Sequence, residues 1–318
     1  MTHYDVFNGD ADGICALHQL RLAEPRESVL VTGVKRDISL VKRIDTAKAE
    51  SATVLDISMD KNRDALKQVL NAKVPVFYAD HHFPGNIPED DLLDAHIDTD
   101  ANVCTGLIVN KFLNGQHLPW AITAAYGDNL HDAAKAVAAP LDLSAAALAL
   151  LEELGTLINY NGYGGALEDL YFAPDELYRK VSPYESPFEF INDDKAFITL
   201  KQGYASDMDK ATAITPELDT PQCAMFVFPD DPFSRRVSGV YSNQLARQNP
   251  DRAHALASTL PDGNYLVSVR APLSNKTGAD ELCRQFESGG GRKAAAGINQ
   301  LPPQELDKFS NAFIAQFS

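Results

Sequence analysis

Three apolar runs in the first eighty residues lead directly into aspartate. Tyr4-Asp5-Val6-Phe7 passes through Asn8-Gly9 to Asp10 and Asp12, Ala52-Thr53-Val54-Leu55 ends at Asp56, and Val74-Pro75-Val76-Phe77-Tyr78 passes through Ala79 to Asp80, His81 and His82. Between them lie the apolar helix start Ile14-Cys15-Ala16-Leu17, a strand-like Ser28-Val29-Leu30-Val31-Thr32, a helical stretch after Asp37, and helical periodicity from Lys61 to Leu70. Strands alternating with helices at this spacing imply crossover connections and a parallel sheet. In open parallel sheets, ligands sit at the carboxyl ends of the strands. The pattern therefore delivers Asp10, Asp12, Asp56, Asp80, His81 and His82 to one edge. A single aspartate after a strand is often a helix cap. Several on one edge repel one another unless a cation holds them.

The chain continues through the turn-like Asp98-Thr99-Asp100-Ala101-Asn102-Val103-Cys104-Thr105-Gly106 into the apolar Leu107-Ile108-Val109. Helical sequence then runs from Ala121 to Tyr126, ahead of Gly127-Asp128-Asn129. Asp128 joins the candidate ligands. Asn8, Asp10, Asp12 and Gly13 also match the first half of an EF-hand loop, but position twelve is Gln19, not the bidentate Glu, and the greasy Ile14 to Leu17 run would fill that loop. Hard oxygen donors with imidazole and no thiolate suit Mn2+ or Mg2+. The number of candidate ligands suffices for two ions, which at about 3.5 to 4 Å apart would serve an in-line phosphoryl displacement.

Bulk properties narrow the partners. At 318 residues, with 45% hydrophobic and 23% charged residues, the chain has room for two domains. No apolar run is long enough to span a bilayer, and Met1-Thr2-His3-Tyr4-Asp5 has neither the basic nor the apolar region of a signal peptide, so a cytoplasmic location is expected. Cys15, Cys104, Cys223 and Cys283 are scattered without metal-ligand spacing and read as buried thiols. A net charge of −16 argues against extended contact with long nucleic acid. A small anionic substrate remains compatible, provided that metal ions and a few cations neutralise it locally.

In its four ordered motifs, Asp10-Ala11-Asp12-Gly13, Asp56, Asp80-His81-His82 and Asp128, the chain resembles the DHH phosphoesterases, and in particular the branch with a C-terminal DHH-associated domain. The resemblance implies two Mn2+ ions, with Mg2+ or Co2+ as alternatives. Asp10 would bind one ion, Asp12 the other, Asp56 would bridge them, and His81 and Asp128 would complete the second site. It implies further that Asp80 orients His81, as a carboxylate does for a ligating imidazole, and that His82 touches the scissile phosphate. Many members carry a His or Asp ahead of the paired aspartates. Here Asn8 stands in that neighbourhood and offers only a neutral carbonyl oxygen.

In the second half, Ala145 to Leu157 reads as an apolar helix ended by Asn159-Tyr160-Asn161-Gly162. The stretch from Tyr163 to Thr220 is mixed and proline-rich, and its Asp193-Asp194 and Asp207-Met208-Asp209 groups read as solvated faces. The pattern restarts with the strand Cys223 to Phe228, a helix near Val237 to Arg247, the strand Tyr265 to Arg270 and a helix around Glu281 to Cys283. Ser288-Gly289-Gly290-Gly291-Arg292-Lys293-Ala294-Ala295-Ala296-Gly297 follows. Three glycines among small residues let a backbone approach an anion closely, or form a flexible loop. The stretch is similar to the Gly-Gly-Gly-His-x-x-Ala-Ala-Gly motif of the DHH-associated domain, with Arg292 in place of the usual His. By that resemblance Gly289, Gly290, Gly291, Arg292 and Arg270 bind the substrate's terminal phosphate or base-proximal end. Arg292 keeps its charge at any pH near neutrality. Ser234-Arg235-Arg236 reads either as a second cationic pair or as a solvated helix start.

The expected architecture is α/β and two-lobed, with a parallel-sheet catalytic domain over 1–190, a linker region over 191–220 and a smaller mixed-sheet α/β substrate-binding domain over 221–318. The expected activity is Mn2+-dependent hydrolysis of linear dinucleotides or short oligonucleotides to mononucleotides, in a cleft between the lobes. Alternatives are a phosphatase of other small nucleotides such as a 3′,5′-bisphosphonucleotide, a cyclic-dinucleotide hydrolase, or a nucleotide-binding sensor. The expected partner is a short nucleotide, with no long nucleic acid and no membrane, and the expected assembly is a homodimer.

Overall fold

Alternating strands and helices in the first half give β1 (Thr2–Phe7), α1 (Ala11–Ala23), β2 (Val29–Val31), β3 (Ala49–Leu55), α2 (Met59–Asn71), β4 (Val76–Asp80) and β5 (Leu93–Ile97). The remainder of this half is helical: α3 (Thr105–Phe112), α4 (Leu118–Gly127), α5 (His131–Ala138), α6 (Ala145–Gly162), α7 (Pro174–Val181), α8 (Pro187–Asp193) and α9 (Lys195–Thr212). The second half adds β6 (Leu218–Asp219), β7 (Cys223–Phe228), α10 (Pro232–Gln248), β8 (Ala253–Thr259), β9 (Tyr265–Arg270), α11 (Ala279–Cys283), β10 (Gly289–Gly291), β11 (Ala295–Leu301) and α12 (Leu306–Phe317). This computed structural model describes residues 2–318. The chain divides into two compact units between Gln202 and Gly203, inside α9.

The first unit holds a five-stranded sheet in the order β2-β1-β3-β4-β5, parallel throughout. Its register is what assembles the site. Phe7 pairs with Leu55 and Leu55 with Ala79, so the next residues along, Asn8, Asp56 and Asp80, come abreast. The ladder runs one bond further: Asn8 N–H donates to the Leu55 carbonyl (3.2 Å) and Asp56 N–H to that of Ala79 (3.0 Å). Val6, Val54 and Tyr78 of the sheet and Leu66 of α2 pack into one apolar cluster, where each large side chain contributes roughly 1.5–3 kcal/mol. On α1, every residue from Ala11 to Leu20 is buried. That helix is apolar nearly all round because α3, α4 and α6 pack over it.

His18 lies inside this packing. Its Nε2 donates to the Tyr184 carbonyl (2.8 Å) and its ring stands edge-on to Trp120 at 4.6 Å between centroids. Burial pushes the imidazole down to about 4. The fold therefore refuses a proton that the unfolded chain accepts near 6.5. Stability is fully present above that pH and is lost as pH falls from there toward 4, by up to about 1.4 kcal/mol per pH unit. His18→Gln, which keeps a donor for Tyr184, is expected to flatten this dependence. Urea midpoints at pH 7 and pH 5 that drop equally in variant and wild type would rule the assignment out.

The second unit holds a six-stranded mixed sheet in the order β10-β11-β9-β8-β7-β6, antiparallel except for β7 beside β8. Phe309 and Phe313 of α12 and Leu282 and Cys283 of α11 pack on it. All four cysteines are buried thiols. Among the described residues no helix is long and apolar enough to cross a membrane.

Several expectations change. The segment after Asp37 forms only a 3-10 turn, Val41–Arg43, not a helix. The interval 191–220, expected to be a linker region, contains the division between the two units and holds the whole of α9 and β6. Asp207 is not on a solvated face: it is buried and paired with the Arg236 guanidinium at 2.7 Å. Arg236 is accordingly internal, and Arg235 pairs with Asp230. Asp193 and Asp209 are exposed, as the sequence indicates. The helices α7 and α8 occupy what reads as a mixed stretch, and both begin with proline.

Candidate metal centre

At the carboxyl edge of the parallel sheet, each functional side chain is fixed by the element that ends there. Asp10 is the N-cap of α1, with Oδ1 accepting from the amides of Asp12 (3.0 Å) and Gly13 (3.1 Å). The turn between β1 and α1 is tight enough that a Cβ on Gly13 would overlap the Asn8 carbonyl oxygen. Asp12, one residue inside the helix, is held from the far side: the amides of Thr105 and Gly106 at the start of α3 donate to its two oxygens, each at 2.7 Å. Asp56 sits just past β3 with φ of +56°, a conformation that Asp and Asn tolerate better than other side chains. Thr105 Oγ1 donates to its Oδ1 at 3.3 Å. Asp128 caps the C-terminus of α4.

The two histidines divide their roles differently from the sequence expectation. Asp80 does not orient His81. It accepts from His82 Nδ1 at 2.7 Å, whereas His81 Nδ1 lies 3.0 Å from the Val103 carbonyl. A carbonyl only accepts, so His81 carries its proton on Nδ1 and turns the Nε2 lone pair inward. That atom lies 3.4 Å from Asp56, 3.8 Å from Asp128 and 3.9 Å from Asp12. His82 is half exposed, and its hydrogen bond to Asp80 raises its pKa, favouring the imidazolium. The segment that follows is braced from α2, where Arg63 donates to the carbonyls of Pro84 (3.0 Å) and Asn86 (2.5 Å).

Electrostatics make this edge a candidate cation site. Burial and then the surrounding Asp10, Asp12, Asp128 and Asp80 drive the Asp56 carboxyl well above the ordinary range. Burial and Asp12 push Asp128 up to about 6. A cluster that must hold protons against its own repulsion is one that a cation stabilises. The donors also suit a hard ion: Asp12, His81 Nε2 and Asp128 present atoms within 4.8 Å of one another, and Asp56 and His81 belong to a second such group with His82. His82 Nδ1 is committed to Asp80, and the carboxylates that surround His81 Nε2 are Asp12, Asp56 and Asp128.

Lys35 belongs to this site without having been among the residues expected from the sequence. Lys35, from the loop after β2, places Nζ 2.5 Å from Asp10 Oδ2 and 3.8 Å from Asp128 Oδ1, and donates to Asn159 Oδ1 at 2.9 Å. Asn8 Nδ2 in turn donates to the Lys35 carbonyl (3.4 Å), and Asn8 Oδ1 is buried without a hydrogen-bond partner. A contrasting arrangement lies at the amino edge of the same sheet, near a cavity of 670 Å³. There buried Asp5 is held at about 2 against the cost of burial, by His3, Arg21 and Ser28. One end of β1 has its anion satisfied by the chain itself, whereas the other gathers anions faster than it supplies cations.

In the second unit, Gly289, Gly290 and Gly291 form the edge strand β10 and pair with Ile298, Gly297 and Ala296. At Gly289 the small size serves packing, since a Cβ there would overlap the Cys283 carbonyl, whereas Gly290 has open space around it. The amides of Gly289 and Arg292 are taken by the carbonyls of Phe286 (3.0 Å) and Ala295 (2.9 Å). Arg292 is exposed at the hairpin end, and Arg270 lies opposite Ala295 at the same end of the sheet. The Arg270 guanidinium donates to Asn243 Oδ1 and Ser268 Oγ, both at 2.9 Å.

No family model matches the sequence, and no curated relative does either. Solved structures do. The exonuclease RecJ bound to manganese superposes with a TM-score of 0.66 at 15% identity, over 100% of this chain and 91% of that one. RecJ of Thermus thermophilus in complex with Mn2+ gives 0.60 at 17% identity; the whole of this chain spans 52% of that one, about half its length. The pGpG-specific phosphodiesterase PggH of Vibrio cholerae gives 0.60 at 13% identity, over 99% of this chain and 98% of that one. At these identities the likeness is one of fold, and it covers both units.

Proposed function

We propose that the protein is a DHH-type, metal-dependent phosphodiesterase that hydrolyses linear dinucleotides or very short oligonucleotides to mononucleotides, with Mn2+ as the working ion. The observation that carries this reading is the convergence of Asp12, Asp56, Asp128 and the inward-facing His81 Nε2 on one sheet edge, beside a His82 whose hydrogen bond to Asp80 favours the imidazolium. A bound divalent ion would supply Lewis acidity, lowering the pKa of a water and drawing charge from a phosphoryl oxygen. His82, anchored by Asp80 and half exposed, donates a charge-assisted hydrogen bond to a non-bridging oxygen of the phosphodiester as negative charge grows there. His81 is locked by Val103 in the tautomer a ligand needs. The second unit offers Arg270 and exposed Arg292 as cations for a terminal phosphate.

The net charge of −16 favours short substrates over long strands. Support for a diester substrate comes also from the fold, which RecJ, an exonuclease, and PggH, a phosphodiesterase, both share. The test is hydrolysis of a 5′-phosphorylated dinucleotide, a 5-mer, a 24-mer and a 3′,5′-bisphosphonucleotide, each with MnCl2 and with EDTA. Cleavage is expected for the dinucleotide, to fall with length and to vanish in EDTA. Preferred turnover of the 24-mer or of the bisphosphonucleotide would displace the reading, and binding without turnover of any of the four would make the protein a sensor.

A further inference from the structure

We infer that the Lys35 ammonium is a built-in cation standing where a second divalent ion would otherwise be needed, so that the centre takes up a single ion through Asp12, Asp56, His81 and Asp128. The inference rests on the proposed metal centre and deepens it.

Asp10 has few acceptor directions left to offer a metal. A carboxylate presents about four acceptor directions. Asp10 Oδ1 already receives two backbone amides, and Oδ2 receives Lys35 Nζ at 2.5 Å. Little remains for a metal. Lys35 is moreover held for this position and not merely near it. Its amide donates to the Gly162 carbonyl (2.9 Å), its Nζ to Asn159 Oδ1, and the ammonium lies 5.2 Å from the centroid of the Tyr163 ring. Three contacts from the end of α6 thus fix one cation against the first aspartate.

Charge agrees with geometry. Asp12, Asp56 and Asp128 face His81 Nε2, whereas Asp10 faces the Lys35 ammonium, and Asn8 adds an oxygen but no charge. A second divalent ion on Asp10 would have to displace Lys35 or sit beside its ammonium, where like charges repel at short range. The ion that remains is the one whose donors surround His81 Nε2. Although Asn8 Oδ1 has no hydrogen-bond partner, a neutral amide oxygen is a weak substitute for the carboxylate that Lys35 occupies.

The test is the count of Mn2+ per chain. Purified protein is equilibrated with MnCl2, desalted and measured for metal content, and the Mn2+ EPR spectrum is recorded in parallel. The wild type is expected to carry a single ion with the signal of an isolated Mn2+. Lys35→Met, which keeps the buried stem but removes the charge, is expected to take up a second ion and to show exchange coupling between the two. Lys35→Arg, whose charge is retained, is expected to stay at one, which separates the loss of charge from any general disturbance. Circular dichroism reports whether each variant folds, and the wild-type count stands without them. Two ions in the wild type would overturn the inference while leaving the metal centre intact. Retention of a single, uncoupled ion in folded Lys35→Met would overturn it too. No bound ion in the wild type would overturn both the inference and the proposed function on which it rests.

Discussion

Asp56→Asn is expected to abolish Mn2+-dependent hydrolysis and, at the same time, to make the metal-free protein more stable than the wild type. Asp56 is buried at the centre of the carboxylate cluster, and its pKa is driven up first by burial and then by four neighbouring aspartates. Asparagine has the same shape and accepts the φ of +56°. It removes only the charge. Loss of a carboxylate that holds the ion removes several kcal/mol of transition-state stabilisation, about a thousandfold or more in rate. In EDTA the substitution relieves a repulsion, for a gain of about 1–2 kcal/mol. The gain has a pH sign. A carboxyl whose folded pKa lies above its unfolded value of 3.8 lends stability at low pH that is lost as pH rises. The advantage of the variant therefore grows from pH 4 to pH 8. Denaturation in EDTA across that range, alongside the dinucleotide assay with MnCl2, tests both halves. A variant that is less stable than the wild type throughout, or that still hydrolyses within tenfold of it, would refute the placement of Asp56.

Gly13→Ala is the second large effect, and it acts through the backbone. In an exposed helix this change would be favourable by roughly 1 kcal/mol. Here the new methyl group overlaps the carbonyl oxygen of Asn8, and a backbone atom cannot swing aside as a side chain does. The turn carrying Asn8, Asp10 and Asp12 must open. We expect a net destabilisation of about 2 kcal/mol, by comparison with other overpacked sites, and a drop in Mn2+ affinity of about tenfold or more, since a ligand displaced by an ångström loses its bond. Calorimetric titration with MnCl2 and a urea melt measure the two. Wild-type values in both would mean that the turn has slack which the packing of α1 does not suggest.

The sequence disclosed the site to the extent that the site follows strand register. Asp10, Asp12, Asp56 and the Asp80-His81-His82 run each follow an apolar stretch, and parallel pairing brings their positions abreast. What it did not disclose depends on contacts without a local pattern. Lys35 lies in a polar loop, and only the folded path of α6 places Asn159 and Gly162 around it. The amides of Thr105 and Gly106 that grip Asp12 have no side-chain signature at all. The partner of Asp80 was, by contrast, within reach. In extended chain, residues two apart point to the same side, so Asp80 meets His82 more readily than His81. The helices α7 and α8 also had a signal in Pro174 and Pro187 at the first helical position, and in Ser186 and Glu189 capping each other's ends of the first turn. Prolines there mark starts, not linkers. Asp207 escaped because its partner, Arg236, comes from another helix, and an aspartate beside another acid gives no sign of which way it faces.

The pairing of Lys35 with Asp10 bears on how such a protein survives scarcity. An ion borrowed from solution can be withdrawn by any competing chelator, and a centre neutralised only by borrowed ions becomes a knot of repelling carboxylates when they leave. A lysine is part of the covalent chain and is never withdrawn. The first aspartate and the turn that carries it are thus held in place by the chain itself.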